Sequence, residues 1–326
     1  LKVVVTDYIE ENLDWEKERL SKEGIELECH QLKFRPAEEV IEKIGDADLV
    51  VVNMVKMDAQ VISGIENCRV IMRHGIGYDN VDVAACTRHG IVLGYQTEYC
   101  KDDVAEHAIA LILSCARKIV RSRKTLEDSS DAGQWDFSDI FPLYRLKGKT
   151  LGIVGVGRIG SIVCARLSSF GFTIIGCDPY LSDKRMKDLD IEFVDRHTLF
   201  SRSDFVTVHT PLNDETRHIV NAKTLGLMKP TAYVINTSRG PMVDTDALAD
   251  ALKSGTIAGA AIDVYDVEPP PPDFPLFGIE NVILTPHTAW ASHESGWDIR
   301  KSIVEDIIAC AGGGLPKYIV NKEVSE

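Results

Sequence analysis

Cations are in short supply in this sequence of 326 residues: 36 Lys and Arg face 50 Asp and Glu, for a net charge of −14. With a pI near 5.1, nucleic acid and anionic membranes are excluded as principal partners, because neutralising phosphate takes concentrated cations. Paired cysteines are lacking too. The eight, at positions 29, 68, 86, 100, 115, 164, 177 and 310, show no C-x-x-C spacing and sit mostly in apolar runs. That argues against a disulfide framework or a zinc site, so no metal is expected and the thiols read as buried in a reducing compartment. The longest apolar run, around Ala108–Leu113, falls far short of the ~20 residues of a membrane span. The opening Leu1-Lys2-Val3-Val4-Val5 reads as a strand and not as a signal peptide, and a cytoplasmic location is expected. Low-complexity sequence is absent as well: 44% hydrophobic and 26% charged residues describe a folded globular chain.

The length exceeds the ~250 residues at which single cores stop growing, so two domains are expected. Short apolar runs alternate with segments of helical period, the pattern of βαβ units. Strands are predicted at Lys2–Thr6, Ile25–Gln31, Leu49–Asn53, Val70–Arg73 and Ile91–Leu93. A largely apolar helix follows over 103–124. From Thr150 the pattern restarts, with strands at Leu151–Val154, Thr173–Cys177, Phe205–His209, Tyr233–Asn236, Ala258–Asp263 and Val282–Leu284. A last helix carries Ile303, Val304, Ile307, Ile308 and Ala311 in one stripe, is ended by the glycines at 312–314, and has no strand after it, so it is expected to return to the first domain. The predicted fold is α/β: two doubly wound parallel-sheet domains, Rossmann- or flavodoxin-like, with a cleft between them. One comprises 1–97 plus 291–326 and is read as substrate-binding; the other, 98–290, is read as dinucleotide-binding.

Gly155-Val156-Gly157-Arg158-Ile159-Gly160 fits G-x-G-x-x-G between a strand and a helix. Gly155 permits the tight turn, Gly157 lets the backbone approach a pyrophosphate, and Gly160 lets the helix pack on the strand. The helix-start amides near Arg158 and Ile159 then face the anion. Asp178, at the end of the next strand, stands where a carboxylate accepts hydrogen bonds from the ribose hydroxyls and repels a 2′-phosphate, which favours NAD over NADP. Its plainer role would be to begin the Asp178-Pro179 turn.

Three later strand ends each deliver one reactive polar residue. Arg239 lies in Asn236-Thr237-Ser238-Arg239-Gly240, Glu268 stands before the Pro269–Pro272 run, and His287 follows Thr285-Pro286. An arginine fork can hold a carboxylate, while a histidine oriented by a carboxylate can exchange a proton with a carbonyl or hydroxyl oxygen. Convergence of these residues at the carboxyl edge of a parallel sheet suits reduction of a 2-oxo acid.

Taken together, the sequence resembles the D-isomer-specific 2-hydroxyacid dehydrogenase family. The likeness rests on His74-Gly75-Ile76-Gly77-Tyr78-Asp79-Asn80, Val104-Ala105-Glu106-His107, Gly155 to Gly160, His209-Thr210-Pro211-Leu212, Met228-Lys229-Pro230, Asn236 to Gly240, Asp263 to Pro269 and Pro286-His287, in order along nearly the whole chain. It implies an NAD cofactor and makes Arg239, Glu268 and His287 the catalytic set. It also implies that Ile76 and Gly77 offer amides to the substrate carboxylate, with Ile76, His209, Thr210, Pro211, Thr237 and Ala289 along the cofactor and Asp263 facing the nicotinamide. Within the family the likeness is nearest to the C-terminal-binding proteins and their bacterial relatives, through Thr6-Asp7-Tyr8, Tyr99-Cys100 and His287-Thr288-Ala289-Trp290. In that subgroup the tryptophan lines the substrate pocket; Trp290 either does so or packs between domains. The family further implies a homodimer built on the second domain, to which the 103–124 helix would contribute. A small-molecule 2-oxo or 2-hydroxy acid is the expected partner. The competing reading is a non-enzymatic, NAD(H)-sensing binding protein.

Overall fold

The computed structural model describes residues 1–324. Its first strands are β1 (Lys2–Val5), β2 (Glu26–Cys29), β3 (Leu49–Val52), β4 (Val70–Arg73) and β5 (Val92–Tyr95). Between them run α1 (Asp14–Ser21), α2 (Ala37–Ile44), α3 (Ala59–Ser63) and α4 (Val83–Arg88). All pairings are parallel and the order is β2-β1-β3-β4-β5. Val3, Val4 and the whole of β3 are buried, as strands must be when helices cover both faces of a parallel sheet.

The chain continues through α5 (Lys101–Arg117), α6 (Ile119–Asp131), β6 (Thr150–Val154), α7 (Arg158–Leu167), β7 (Thr173–Cys177), α8 (Asp183–Asp188) and β8 (Glu192–Phe193). Then come α9 (Arg196–Arg202), β9 (Phe205–Val208), α10 (Ala222–Leu225), β10 (Tyr233–Asn236), α11 (Thr245–Lys253), β11 (Gly259–Ile262) and β12 (Val282–Leu284). These strands form a second parallel sheet, ordered β12-β11-β10-β9-β6-β7-β8. The order reverses between β6 and β9, and the crevice outside their carboxyl ends is the ligand position of a doubly wound sheet. The last helix, α12 (His293–Ala311), packs Ile299, Ile303, Val304 and Ile307 with Val3, Val5 and Leu20 around the first sheet.

The contacts divide the chain into Leu1–Cys100 with Ser292–Glu326, and Lys101–Ala291. The divisions fall a few residues from those read in the sequence because they coincide with helix starts. Lys101 opens α5, and the Ser292 side chain caps α12 by accepting from the Ser295 amide.

The helix expected over 103–124 is corrected by the structure to two. α5 ends at Arg117, Lys118 adopts a left-handed conformation at φ 49°, and α6 begins at Ile119. The apolar face of α5, with Ala105, Ala108, Leu111 and Ile112, is buried within its own unit against β6 and α7 residues such as Ile153 and Val163. The basic residues around the break are largely solvated, with Arg123–Glu127 and Lys124–Asp128 as exposed i, i+4 pairs.

Candidate active site

In the second unit, the loops after β6 and β9 touch at the point of reversal. Gly155 sits at φ +86°, and a Cβ there would lie 2.6 Å from Thr210 Cγ2 and 2.8 Å from the His209 carbonyl oxygen. Gly160 is equally closed, 2.2 Å from the Gly155 oxygen by the same construction. Gly157 is different: a Cβ there meets nothing within 4 Å. Packing therefore requires the outer glycines but leaves open space at the middle one, beside the first-turn amides of α7 that lack intrahelical acceptors. Asp178 does more than the sequence indicates. Its Oδ2 accepts from the Val156 amide at 2.9 Å and its Oδ1 from the Tyr180 amide at 3.0 Å, so it braces the glycine turn and also begins its own.

Two polar atoms near the same edge have no partner among the described residues. Thr237 Oγ1 and His209 Nδ1 are shielded from solvent without a hydrogen bond, although such groups are normally paired. His209 Nε2 lies 2.9 Å from Thr207 Oγ1, and burial holds the ring's pKa down to about 4, so it is neutral at pH 7. Orphaned polar atoms and an open glycine cradle fit a dinucleotide.

Beyond β12, His287 is held at φ 55°, a conformation uncommon for a residue with a side chain. Its amide donates to the Asp263 carbonyl at 2.7 Å. Its ring Nδ1 lies 2.7 and 2.9 Å from the two oxygens of Glu268. Glu268 Oε1 also accepts from the Tyr265 amide at 3.1 Å. Burial alone would raise the Glu268 pKa, but the hydrogen bond and charge of His287, the Tyr265 amide and the charge of Arg239 bring it below the usual carboxylate value. Arg239 belongs to the turn after β10: Ser238 Oγ donates to the Val208 carbonyl, Asn236 Nδ2 donates to the Arg239 carbonyl, and Gly240 packs on the Tyr265–Asp266 backbone. Arg239, Glu268 and His287 thus meet on one edge.

Asp263, read in the sequence as facing the nicotinamide, follows β11 directly. It is fully buried, and its carboxylate accepts from the Thr288 amide at 3.0 Å, the Ala289 amide at 2.9 Å and the Thr285 hydroxyl. It therefore anchors the turn that carries His287, and the Ala289 amide is spent in the same way. Trp290 is half-buried just beyond. Pro211 is exposed, after the Thr210 that packs on Gly155.

In the first unit, Ile76 and Gly77 follow β4 in a turn opened by Gly75 at φ +151°. Arg73 Nη1 donates to the His74 carbonyl below it. In the sequence, Asp7 marks only the family likeness. In the structure it gathers the amides of Asn53, Met54 and Val55 after β3, while Asn80 Nδ2 donates to the Asn53 and Val55 carbonyls at 3.1 and 2.8 Å. This fixes the loop next to the Ile76 turn.

A family model described as D-isomer specific 2-hydroxyacid dehydrogenase, NAD binding domain, matches residues 109–289. The chain belongs to the D-isomer-specific 2-hydroxyacid dehydrogenase family. It is 40% identical to a glyoxylate reductase of Thermofilum pendens over 93% of this chain and 90% of that protein. Among solved structures, D-lactate dehydrogenase from Aquifex aeolicus, complexed with NAD and lactic acid, superposes with a TM-score of 0.86 at 27% identity, covering 98% of both chains. The NADPH-dependent glyoxylate/hydroxypyruvate reductase of Sinorhizobium meliloti, in complex with NADP and malonate, gives 0.85 at 28%, covering 98% of this chain and 96% of that one. The family assignment makes the protein an NAD(P)-dependent D-2-hydroxyacid dehydrogenase. No helix among the described residues is long and apolar enough to cross a membrane.

Proposed function

We propose that the protein is an NAD-dependent reductase of small 2-oxo acids, with His287 as general acid/base, Glu268 as its partner and Arg239 as the carboxylate-binding group. The observation that carries this reading is the His287–Glu268 pair at 2.7 and 2.9 Å, with the charge of Arg239 beside it. Because Glu268 occupies the Nδ1 side of the ring, Nε2 is the nitrogen left to give a proton to the substrate oxygen or take one from its hydroxyl. Arg239 suits a planar carboxylate, which it can bind bidentately while its charge steadies the neighbouring carbonyl oxygen. A nicotinamide held at the Gly155–Gly160 turn supplies or accepts the hydride at the substrate C2.

The first unit serves in this reading as the substrate-binding domain and the second as the NAD-binding domain. The Ile76 and Gly77 amides have no hydrogen-bond acceptor among the described residues, which suits them to the substrate carboxylate, and Trp290 contacts the remainder of the acid. Asp178 selects NAD over NADP by charge. The glyoxylate reductase likeness makes glyoxylate and hydroxypyruvate the first acids to try. A homodimer belongs to the same reading: Ile119, Val120 and Leu126 on α6, with Trp135, Phe137 and Phe141 beyond it, are exposed apolar side chains that a second copy would cover.

The test is loss of NADH absorbance with a panel including glyoxylate, hydroxypyruvate and 4-methylthio-2-oxobutyrate. Turnover of at least one, with NADH preferred over NADPH, is expected. Tight NADH binding without turnover of any acid would instead favour the NAD(H)-sensing binding protein.

A further inference from the structure

We infer that His107 is a positioning residue for His287, acting through Thr285 and Asp263. This rests on the reading of His287 as the proton-exchanging group. His107 lies on α5, remote in sequence from the turn it reaches. Its Nε2 is 3.1 Å from Thr285 Oγ1 and 3.5 Å from Asp263 Oδ1.

The hydrogen-bond roles follow from the number of protons available. The Asp263 carboxylate accepts from the amides of Thr288 and Ala289 and from the Thr285 hydroxyl. A threonine hydroxyl has a single proton, and here it goes to Asp263, so the hydroxyl can only accept from His107. His107 therefore carries its proton on Nε2, and that donation fixes the hydroxyl's rotation toward Asp263.

The brace matters because of what it holds. The residue two beyond Thr285 is His287, in its left-handed conformation, with its amide on the Asp263 carbonyl at 2.7 Å. Such a conformation persists only where its surroundings over-determine it. Asp263 is fully buried, and His107 is the one histidine, lysine or arginine paired with it within 4 Å among the described residues. Without His107, the hydroxyl loses its donor and the carboxylate loses that neighbour. The 285–289 turn then relaxes, and the His287–Glu268 geometry relaxes with it.

The experiment compares His107→Ala, His107→Gln, Thr285→Val, Thr285→Ser and the His107→Ala/Thr285→Val double variant. It reads kcat and KM with a 2-oxo acid that the wild type reduces, and NADH affinity. It also reads the low-field proton resonance of the His287 Nδ1–H that faces Glu268, in protein labelled at histidine nitrogen. Misplacement of a reacting group by about 1 Å costs up to 100-fold, so His107→Ala and Thr285→Val are expected to lower kcat about 10-fold or more, with NADH affinity kept. The double variant should be no worse than either single one, since both break the same link. His107→Gln retains a donor and Thr285→Ser retains a hydroxyl, so both should recover most of the loss and restore the resonance. Unchanged kcat and resonance in His107→Ala, or losses that multiply in the double variant, would overturn the proposal. Should His107→Ala not fold, the contrast between Thr285→Val and Thr285→Ser decides, equal behaviour overturning it. If the wild type reduces no acid at all, the functional reading fails, while the resonance still decides whether His107 positions His287.

Discussion

Replacing the second and the third glycine of the dinucleotide turn by alanine separates fold from binding. At Gly157 a Cβ meets nothing within 4 Å, and alanine removes unfolded-chain entropy worth about 0.4–1 kcal/mol, against the strain of placing a side chain at φ −74° and ψ −145°. Alanine is also a poorer N-cap than glycine by a comparable amount. The strain and the weaker cap outweigh the entropy gain by about 1 kcal/mol, so the melting temperature of Gly157→Ala should fall by no more than about 4 °C. Its methyl, however, fills the space a pyrophosphate would approach. Losing one charge-assisted amide–phosphate hydrogen bond costs about 1.5–3 kcal/mol, and NADH should bind roughly 10- to 100-fold more weakly. Gly160→Ala is the opposite case: its Cβ would sit 2.2 Å from the Gly155 carbonyl oxygen, which is backbone and cannot swing aside. Overpacking of that kind costs about 1–3 kcal/mol or more, lowering the melting temperature by roughly 3–10 °C. Thermal melts and titration of NADH fluorescence report the two quantities independently. Wild-type NADH affinity in Gly157→Ala would refute the placement of the pyrophosphate, and a Gly160→Ala protein as stable as wild type would refute the packing argument.

Further expectations concern the catalytic pair, the cofactor and assembly. Glu268→Gln removes the charge facing His287 Nδ1 and should lower kcat about 10-fold or more by loosening the ring's orientation, with NADH affinity kept; an unchanged kcat would count against the pairing. In the wild type, Glu268 titrates below the usual carboxylate value of 4.5, so the support it gives the fold and the pair is present above that value and is lost as pH falls through the lowered one. The acid limb should accordingly lie below pH 4.5, as activity after brief acid exposure and return would distinguish from unfolding. Asp178→Ala should weaken NADH binding and narrow its advantage over NADPH, because both the ribose acceptor and the brace on Val156 are lost; an unchanged ratio would remove Asp178 from cofactor selection. Sedimentation should find a dimer, and Trp135→Ser with Phe137→Ser should shift it toward monomer; a monomeric wild type would refute the assembly.

Much of this molecule was legible because its signals are local. The β3 run Leu49–Val52, the restart at Thr150 and the glycine turn each lie within a few residues, and apolar period, turn chemistry and strand-to-helix spacing can be read there directly. β8 was not legible: Glu192–Phe193 is a two-residue edge strand, too short to show alternation. The break at Lys118 was hidden because apolar spacing runs on through Ile119 and the residue that breaks the helix is neither glycine nor proline. His107 stood within a recognised run of sequence, but nothing in α5 indicates that its ring meets Thr285.

The sequence by itself determined the alternating elements, the dinucleotide turn and the three residues at successive strand ends, since covalent order and side-chain type fix these. Tertiary structure decided what each carboxylate faces. Asp178 turns back to brace the glycine loop, Asp7 gathers the amides after β3, and Asp263 is withdrawn beneath the His287 turn. The physical reason is that a carboxylate goes where donors are concentrated when burial removes water, and those donors are backbone amides brought together by the crossing of distant strands.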